Sequence, residues 1–435
     1  MSMPTSPSMT PEEADELLDF TIQTNEGRQD PYPAYRQLRD SPSRWRSEAG
    51  SIVLTGYNDC LEVLRHPKLG RAEADMDLPL SIAGNERQIS EEKTTMLLIN
   101  PPDHTRIRSL VSRAFTPRRV EELRSTIEDL LLPVLDRFVA QGGGDVMADL
   151  AVPYPVAVIS ELLGVPKEGN EHILPLVRSL TALIDPAATP ELTAQGEAAG
   201  LEIALYFIDL VEKKRANPDD RLLSALIQVE EAGDKLSIEE LITNTVLLYA
   251  AGFETTSNLI GNGLLLLLKN PDQMQRLREE PDLMAPAILE MLRADSPVQM
   301  NVRVALETVE LFGEFHPRGS SFVVLQSCGN HDSSVYPQAD KFDIARFTQP
   351  EAPQPLSFGW GAHHCLGAHL ARAEGEIVFR SLLERFSDMQ IDSTSMLTAE
   401  PVFRPSFTLR GLESLPIQVK ESPSLGATSG DPAPA

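Results

Sequence analysis

The stretch from Ser237 to Lys269 carries apolar residues at helical spacing, and Asn270-Pro271 closes it. Ser237 and Glu240 form a Ser-x-x-Glu capping pattern at its start. At about 1.5 Å per residue such a helix is close to 50 Å long, so it must cross the whole molecule and the other elements pack around it. Its middle reads Ala251-Gly-Phe-Glu-Thr-Thr256, an acid and two hydroxyls between apolar turns. Polar groups in such a place need partners, and a threonine hydroxyl commonly bonds back to the carbonyl four residues earlier.

Helical periodicity recurs over 118–140, 156–164, 196–216, 220–232, 272–280 and 283–294, many of these segments bounded by Pro or Gly. Strand signals are few. Ser51-Ile-Val-Leu-Thr precedes the turn residue Gly56 and a helix through Leu61, Val63 and Leu64, which predicts a small β-rich module. Val-rich alternation over 302–326, with Gly313 and Gly319, predicts a second small sheet. The expected class is therefore mainly α with small β-sheets. Residues 1–20 and 421–435 read as tails, because Pro, Ser, Thr and Gly dominate their ends. Without an internal repeat or a long linker, 21–420 reads as a single domain.

At 435 residues with a net charge of -26, the chain lacks the basic face that nucleic acid requires. Cys60, Cys328 and Cys365 are few, odd in number and far apart, which argues against a disulfide framework and for a reducing, cytoplasmic setting. The N-terminus has prolines and acids where a signal peptide would have a basic start and an apolar run. The most apolar stretch, Val246 to Phe253, is interrupted by Glu254, Asn258 and Asn262, so no membrane span is expected.

The run Phe358-Gly-Trp-Gly-Ala-His-His-Cys-Leu-Gly367 sets one cysteine, Cys365, in a glycine-flanked turn ahead of an Ala-rich helix. Glycines there permit a tight bend and let backbone amides approach the sulfur and stabilise its anion. Gly367 leaves room for something broad to lie against the first turn of the helix. This run resembles the heme-binding signature of the cytochrome P-450 family, Phe-Gly-x-Gly-x-His-x-Cys-x-Gly, with every specified position matched. The resemblance extends from about residue 30 to 418, with four motifs in the family's order.

That resemblance implies a triangular prism of helices with a long central helix over heme b, and a monooxygenase in which the Cys365 thiolate ligates the iron. Phe358, Gly359, His363 and Gly367 complete the signature around the cofactor. Ala251 to Thr256 resembles the family's oxygen-activation segment, with Thr255 handling oxygen and its water and Glu254 relaying protons. Glu254 stands where many relatives have Asp. Glu290 and Arg293 share a helix face and, alone, would read as a solvated pair. The resemblance makes them a buried Glu-x-x-Arg pair, with Arg346 as the third member. His104 and Arg108, at i and i+4, resemble a propionate clamp. Arg303 matches the arginine that reaches the propionates from the strand beyond.

Between His104 and Arg119 there are five arginines and no acid, a local reversal of sign on an acidic chain. A solvated basic face would explain it. The resemblance favours a docking site for a ferredoxin, served by its reductase, near Arg106, Arg113 and Arg118. By position in the family, the substrate would meet the loop around Leu78 to Leu98, the stretch Leu176 to Ile184, Leu248 and Ala251, the turn from Val298 to Val302, and Phe407. These residues suggest an apolar ligand: lipid, terpenoid, steroid or polyketide-like. The implied protein is a monomer that takes O2, two electrons and an apolar small molecule. Two alternatives stay open: a peroxygenase or isomerase on the same fold, and a zinc-binding structural protein using His363, His364, Cys365 and His369.

Overall fold

The computed structural model describes residues 9–39, 44–73, 75–76, 95–231, 236–395 and 400–423. Its helices are α1 Pro11–Gln23, α2 Asn25–Gln29, α3 Tyr32–Arg39, α4 Tyr57–Arg65, α5 Asp103–Val111, α6 Pro117–Ala140, α7 Pro153–Leu163 and α8 Lys167–Leu180. They continue with α9 Pro190–Ala216, α10 Leu222–Glu231, α11 Ile238–Lys269, α12 Pro271–Glu279, α13 Met284–Ala294, α14 Gln326–Gly329 and α15 Ala368–Arg385. The strands are β1 Arg44–Arg46, β2 Ile52–Leu54, β3 Leu69–Gly70, β4 Gly143–Asp145, β5 Asn301–Ala305, β6 Val309–Leu311, β7 Glu314–His316, β8 Ser321–Val324, β9 Phe386–Ile391 and β10 Pro416–Glu421.

Helix α11 runs through the largest core cluster. Ser237 and Glu240 make both bonds of the capping box at its start, and the Asn270 side chain donates to Leu266 O at its end. Tyr249, Phe253, Ile260, Leu264 and Leu267 are all buried in that cluster, together with residues of α7, α13 and α15. Close approach to α15 rests on small residues: a Cβ on Gly263 would meet the Phe379 ring at 2.8 Å. Among the described residues no single helix is long and apolar enough to cross a membrane.

Two expectations are corrected. The expected tail over 1–20 contains α1, which starts at Pro11 behind a complete Thr10–Glu13 capping box. Ala14, Leu18 and Ile22, four apart, form a stripe packed into a cluster with Tyr35, Leu38 and Val53. Pro at a helix start is a folding signal there, not a mark of disorder. The C-terminal tail expected from 421 begins inside β10, whose Ile417 pairs with Ile391; residues 424–435 lie outside the described ones.

The second correction concerns the sheets. The strands near residue 52 and those within 302–326 belong to one five-stranded sheet in the order β1-β2-β8-β5-β3. Strand β2 pairs with β8 in parallel, Leu54 opposite Val324, so two modules far apart in sequence share one ladder. Only the hairpin β6–β7 stands apart, turning through Phe312 and Gly313, both at positive φ. A further three-stranded sheet has the order β4-β10-β9.

Candidate heme site

The cysteine loop is built from short backbone bonds. Cys365 N donates to Phe358 O at 2.8 Å and Gly359 N to Leu356 O at 2.7 Å. Gly359 and Gly361 take φ of 61° and 73°, and a Cβ on Gly361 would come within 2.5 Å of Leu64 O. Only glycine fits that approach to α4, where Arg65 also stacks on Trp360 at 4.1 Å. Gly367 caps α15, so Cys365 sits at a helix start, where the dipole favours an anion. Burial pushes the Cys365 thiol up, while the Gly367 N–H and the Arg108 guanidinium pull the other way. Cys365 itself is accessible. A Cβ on Gly367 would meet nothing within 4 Å.

Cations gather beside this loop. The rings of His104 and His363 lie 4.3 Å apart, and neither Nε2 has a hydrogen-bond partner although both atoms are buried. Burial lowers His104 to about 4, aided by Arg108 and Arg71. Burial lowers His363 to about 2, with Arg71, Arg303, His104 and Arg108 adding to the effect. Arg108 Nη2 donates to His364 O at 2.6 Å, which ties α5 to the cysteine loop. Arg303 Nη1 donates to Asn301 Oδ1 and Val302 O, both at 2.9 Å. Sequence reasoning missed Arg71. It follows β3, whose Gly70 pairs with Val304, so the ladder brings it next to Arg303, and no local spacing announces it.

On α11, Ala251 is exposed and Thr255 half-buried, whereas Phe253, Glu254 and Thr256 are buried. Thr255 Oγ1 donates to Ala251 O at 3.1 Å. Glu254 is 3% exposed and ion-paired to Arg404, which also donates to Asn258 Oδ1 at 2.6 Å. Arg404 was not singled out by the sequence, and nothing in Val402-Phe-Arg-Pro signals it.

Glu290 and Arg293 are both inaccessible and 2.7 Å apart, so the solvated-pair reading does not hold. Arg346 closes the triad at 3.0 Å from Glu290. Arg293 also donates to Asn330 O and Ala339 O. Asn330 in turn accepts from Leu356 N at 2.7 Å and donates to Ser357 Oγ, which bonds Leu292 O. The triad is thereby wired to the start of the cysteine loop.

The expected pocket residues lie in two separate parts of the chain. Leu248 and Ala251 are on α11, while Val298 is bridged to Leu409, which brings it beside the turn that carries Phe407. Phe407 is buried with Met300 and Val302. Most of the loop around Leu78 to Leu98, residues 77–94, lies outside the described residues. The arginine patch is less uniform than the sequence suggested. Arg106 is committed to Glu240 at 2.5 Å and to Asp103 at 3.0 Å, and Arg118 pairs with Glu122 at 3.1 Å while staying exposed. No group of three His, Cys, Asp or Glu side chains able to hold a metal ion occurs among the described residues, which removes the zinc alternative.

A cysteine with an N–H and a guanidinium near its sulfur, an open face against its helix and two unpartnered imidazoles among arginines fit an anionic, flat iron macrocycle, the hallmark of heme-thiolate proteins. The Cytochrome P450 family model matches residues 42–403, and the chain belongs to that family. It is 38% identical to cytochrome P450 107B1 of Saccharopolyspora erythraea, over 94% of this chain and 99% of that protein. It is likewise 38% identical to the vitamin D(3) 25-hydroxylase of Pseudonocardia autotrophica, over 89% and 94%. The solved structure of P450BioI in complex with a hexadec-9Z-enoic acid ligated acyl carrier protein superposes with a TM-score of 0.80 at 32% identity, covering 91% of this chain and 99% of that one. The protein is accordingly a monooxygenase with heme b as its cofactor.

Proposed function

We propose that this cytochrome P450 takes electrons from a ferredoxin-type donor and hydroxylates or epoxidises an apolar small molecule of lipid, terpenoid, steroid or polyketide type. What supports the substrate class is the apolar character of Leu248, Ala251, Val298 and Phe407, the residues at the family's pocket positions, without a charged side chain among them. The names of the two relatives above, a vitamin D hydroxylase and a fatty-acyl complex, support the same class.

Bound heme supplies the redox chemistry that splits O2 with two electrons, one oxygen going to the substrate and the other leaving as water. Cys365 would provide the sulfur ligand, its anion favoured by the Gly367 N–H, Arg108 and the start of α15 against the burial that raises the free thiol. His104, Arg108, Arg303 and His363, with Arg71, would hold the propionates, and Phe358, Gly359 and Gly367 would shape the loop against the heme. Thr255 Oγ1, once turned from Ala251 O, donates toward the reacting oxygen and accepts a proton from water. Glu254 feeds that water after exchanging Arg404 for solvent. Glu290, Arg293 and Arg346 hold the cysteine loop in place. Arg113 and Arg118, exposed on the α5–α6 corner, attract the acidic donor, whereas Arg106 serves α11. Cys60 and Cys328, buried and free, agree with a cytoplasmic setting.

The test is reconstitution with a ferredoxin and its reductase against a library of apolar compounds, scored by Soret shift and then by product mass. A gain of one oxygen on a shifting compound is the expected result. Turnover with peroxide alone, and none with ferredoxin, would replace this reading by the peroxygenase alternative.

A further inference from the structure

A cavity of about 330 Å³ lies among α6, α7 and α10, lined also by Arg113 and Ala114 of the turn after α5 and by Leu370 of α15. None of the residues of the heme site lines it. Its volume falls within the range of small-molecule sites, about 300–1,000 Å³. Leu110, Leu123, Leu162, Leu222 and Val229 line it and are only partly buried, so apolar surface from four helices stays uncovered there. Thr126 is the single neutral polar side chain in the lining among the described residues.

The charged residues of the lining are Arg113, Arg119, Glu161, Asp220 and Arg221. Arg221 pairs with Glu161 at 2.5 Å and with Asp220 at 3.7 Å, so the α7 and α10 side carries its own countercharge. The other side does not. Arg119 shares Glu122 with Arg118, at 3.3 and 3.1 Å, and Arg113 has no ion-pair or side-chain hydrogen-bond partner among the described residues. An apolar cavity therefore opens beside guanidinium charge that the protein leaves partly unmet.

We propose that this cavity is a second ligand site, separate from the heme site, that takes an amphipathic carboxylate, its apolar tail among Leu110, Leu123, Leu162 and Leu222 and its head at Arg113 and Arg119. A guanidinium fork holds a carboxylate through two parallel N–H bonds. A doubly charged head fits less well, because Glu122, Glu161 and Asp220 stand near the same arginines. A peptide fits worse: its N–H and C=O groups would be buried against a lining that offers one neutral hydroxyl.

The experiment is calorimetric titration of decanoate into the holoenzyme with its iron already ligated by saturating econazole, the azole-shifted Soret band recording that the heme site stays occupied. Binding of one equivalent without movement of that band is the expected result. Arg113→Gln should weaken it about tenfold, the equivalent of one lost charge-assisted hydrogen bond, and decanol in place of decanoate should bind correspondingly weakly. Ala225→Trp, which fills the cavity from an exposed position on α10, should abolish the heat. Both substitutions lie at exposed positions, and the reduced carbon monoxide band of each variant reports intact folding. Absence of heat, heat that appears only as the Soret band reverts, or a Kd that either substitution leaves unchanged overturns the proposal.

Discussion

His104 on α5 and His363 in the cysteine loop stack with ring centres 4.3 Å apart, and both present a buried Nε2 with no partner. Two neutral donors among three arginines form a receptor for carboxylates. A hydrogen bond to a charged group contributes about 1.5–3 kcal/mol, so His104→Ala and His363→Ala should each weaken heme retention by roughly tenfold or more. The rate of heme transfer to apomyoglobin measures it. His104→Gln, which keeps a donor, should recover part of the loss.

The same pair gives the heme-free polypeptide an acid limit. An unfolded histidine titrates near 6.5, whereas folding lowers His104 to about 4 and His363 to about 2. Below pH 6.5 the unfolded chain binds protons that the folded one refuses, so stability falls as pH drops from 6.5 toward 4, and on toward 2 for His363. Urea midpoints of apoprotein against pH should therefore fall more steeply than those of the His104→Gln/His363→Gln variant. Parallel curves would count against neutral imidazoles in the folded state.

Glu290 neutralises Arg293, both inaccessible, and the partly exposed Arg346. Glu290→Gln leaves both cations uncompensated, a loss of about 3–5 kcal/mol for a broken buried pair. Expression of protein with little bound heme and a lowered urea midpoint is the expected outcome. A variant with native heme content would mean that Asn330 and Ser357 hold the cysteine loop unaided.

Thr255→Ala removes the hydroxyl together with one methyl of a half-buried side chain. It should retain heme and substrate binding while diverting reducing equivalents to peroxide, lowering the ratio of product to electrons about tenfold or more. Peroxide and product assayed together decide it, and unchanged coupling removes Thr255 from proton delivery.

Charge reversal at Arg113 and Arg118 should raise the KM for a ferredoxin about tenfold at low salt and much less at high salt, with heme spectra unaltered. Arg106→Ala should behave differently. It breaks the tie between α5 and the start of α11, so its effect is on stability and persists in salt. A salt-independent effect of the double reversal would move the docking face elsewhere.

Local chemistry made much of this protein legible from its sequence. Ser237, Glu240 and Asn270 bound α11 by capping alone, and the glycines around Cys365 announce a bend that only they can make. Pro11 behind Thr10 carried a helix-start signal that composition obscured, which is why the tail over 1–20 was misread. Other features exist only after folding. Strand β8 joins β2 and β5 into one sheet because ladder partners are chosen by burial across long loops. Arg71 reaches the histidines through β3, and Arg404 reaches Glu254 from the C-terminal loop. A residue type and its spacing report the chemistry a helix or turn can present. Which distant side chain completes that chemistry is settled by packing, because a buried charge takes whichever partner the closed fold brings within hydrogen-bond reach.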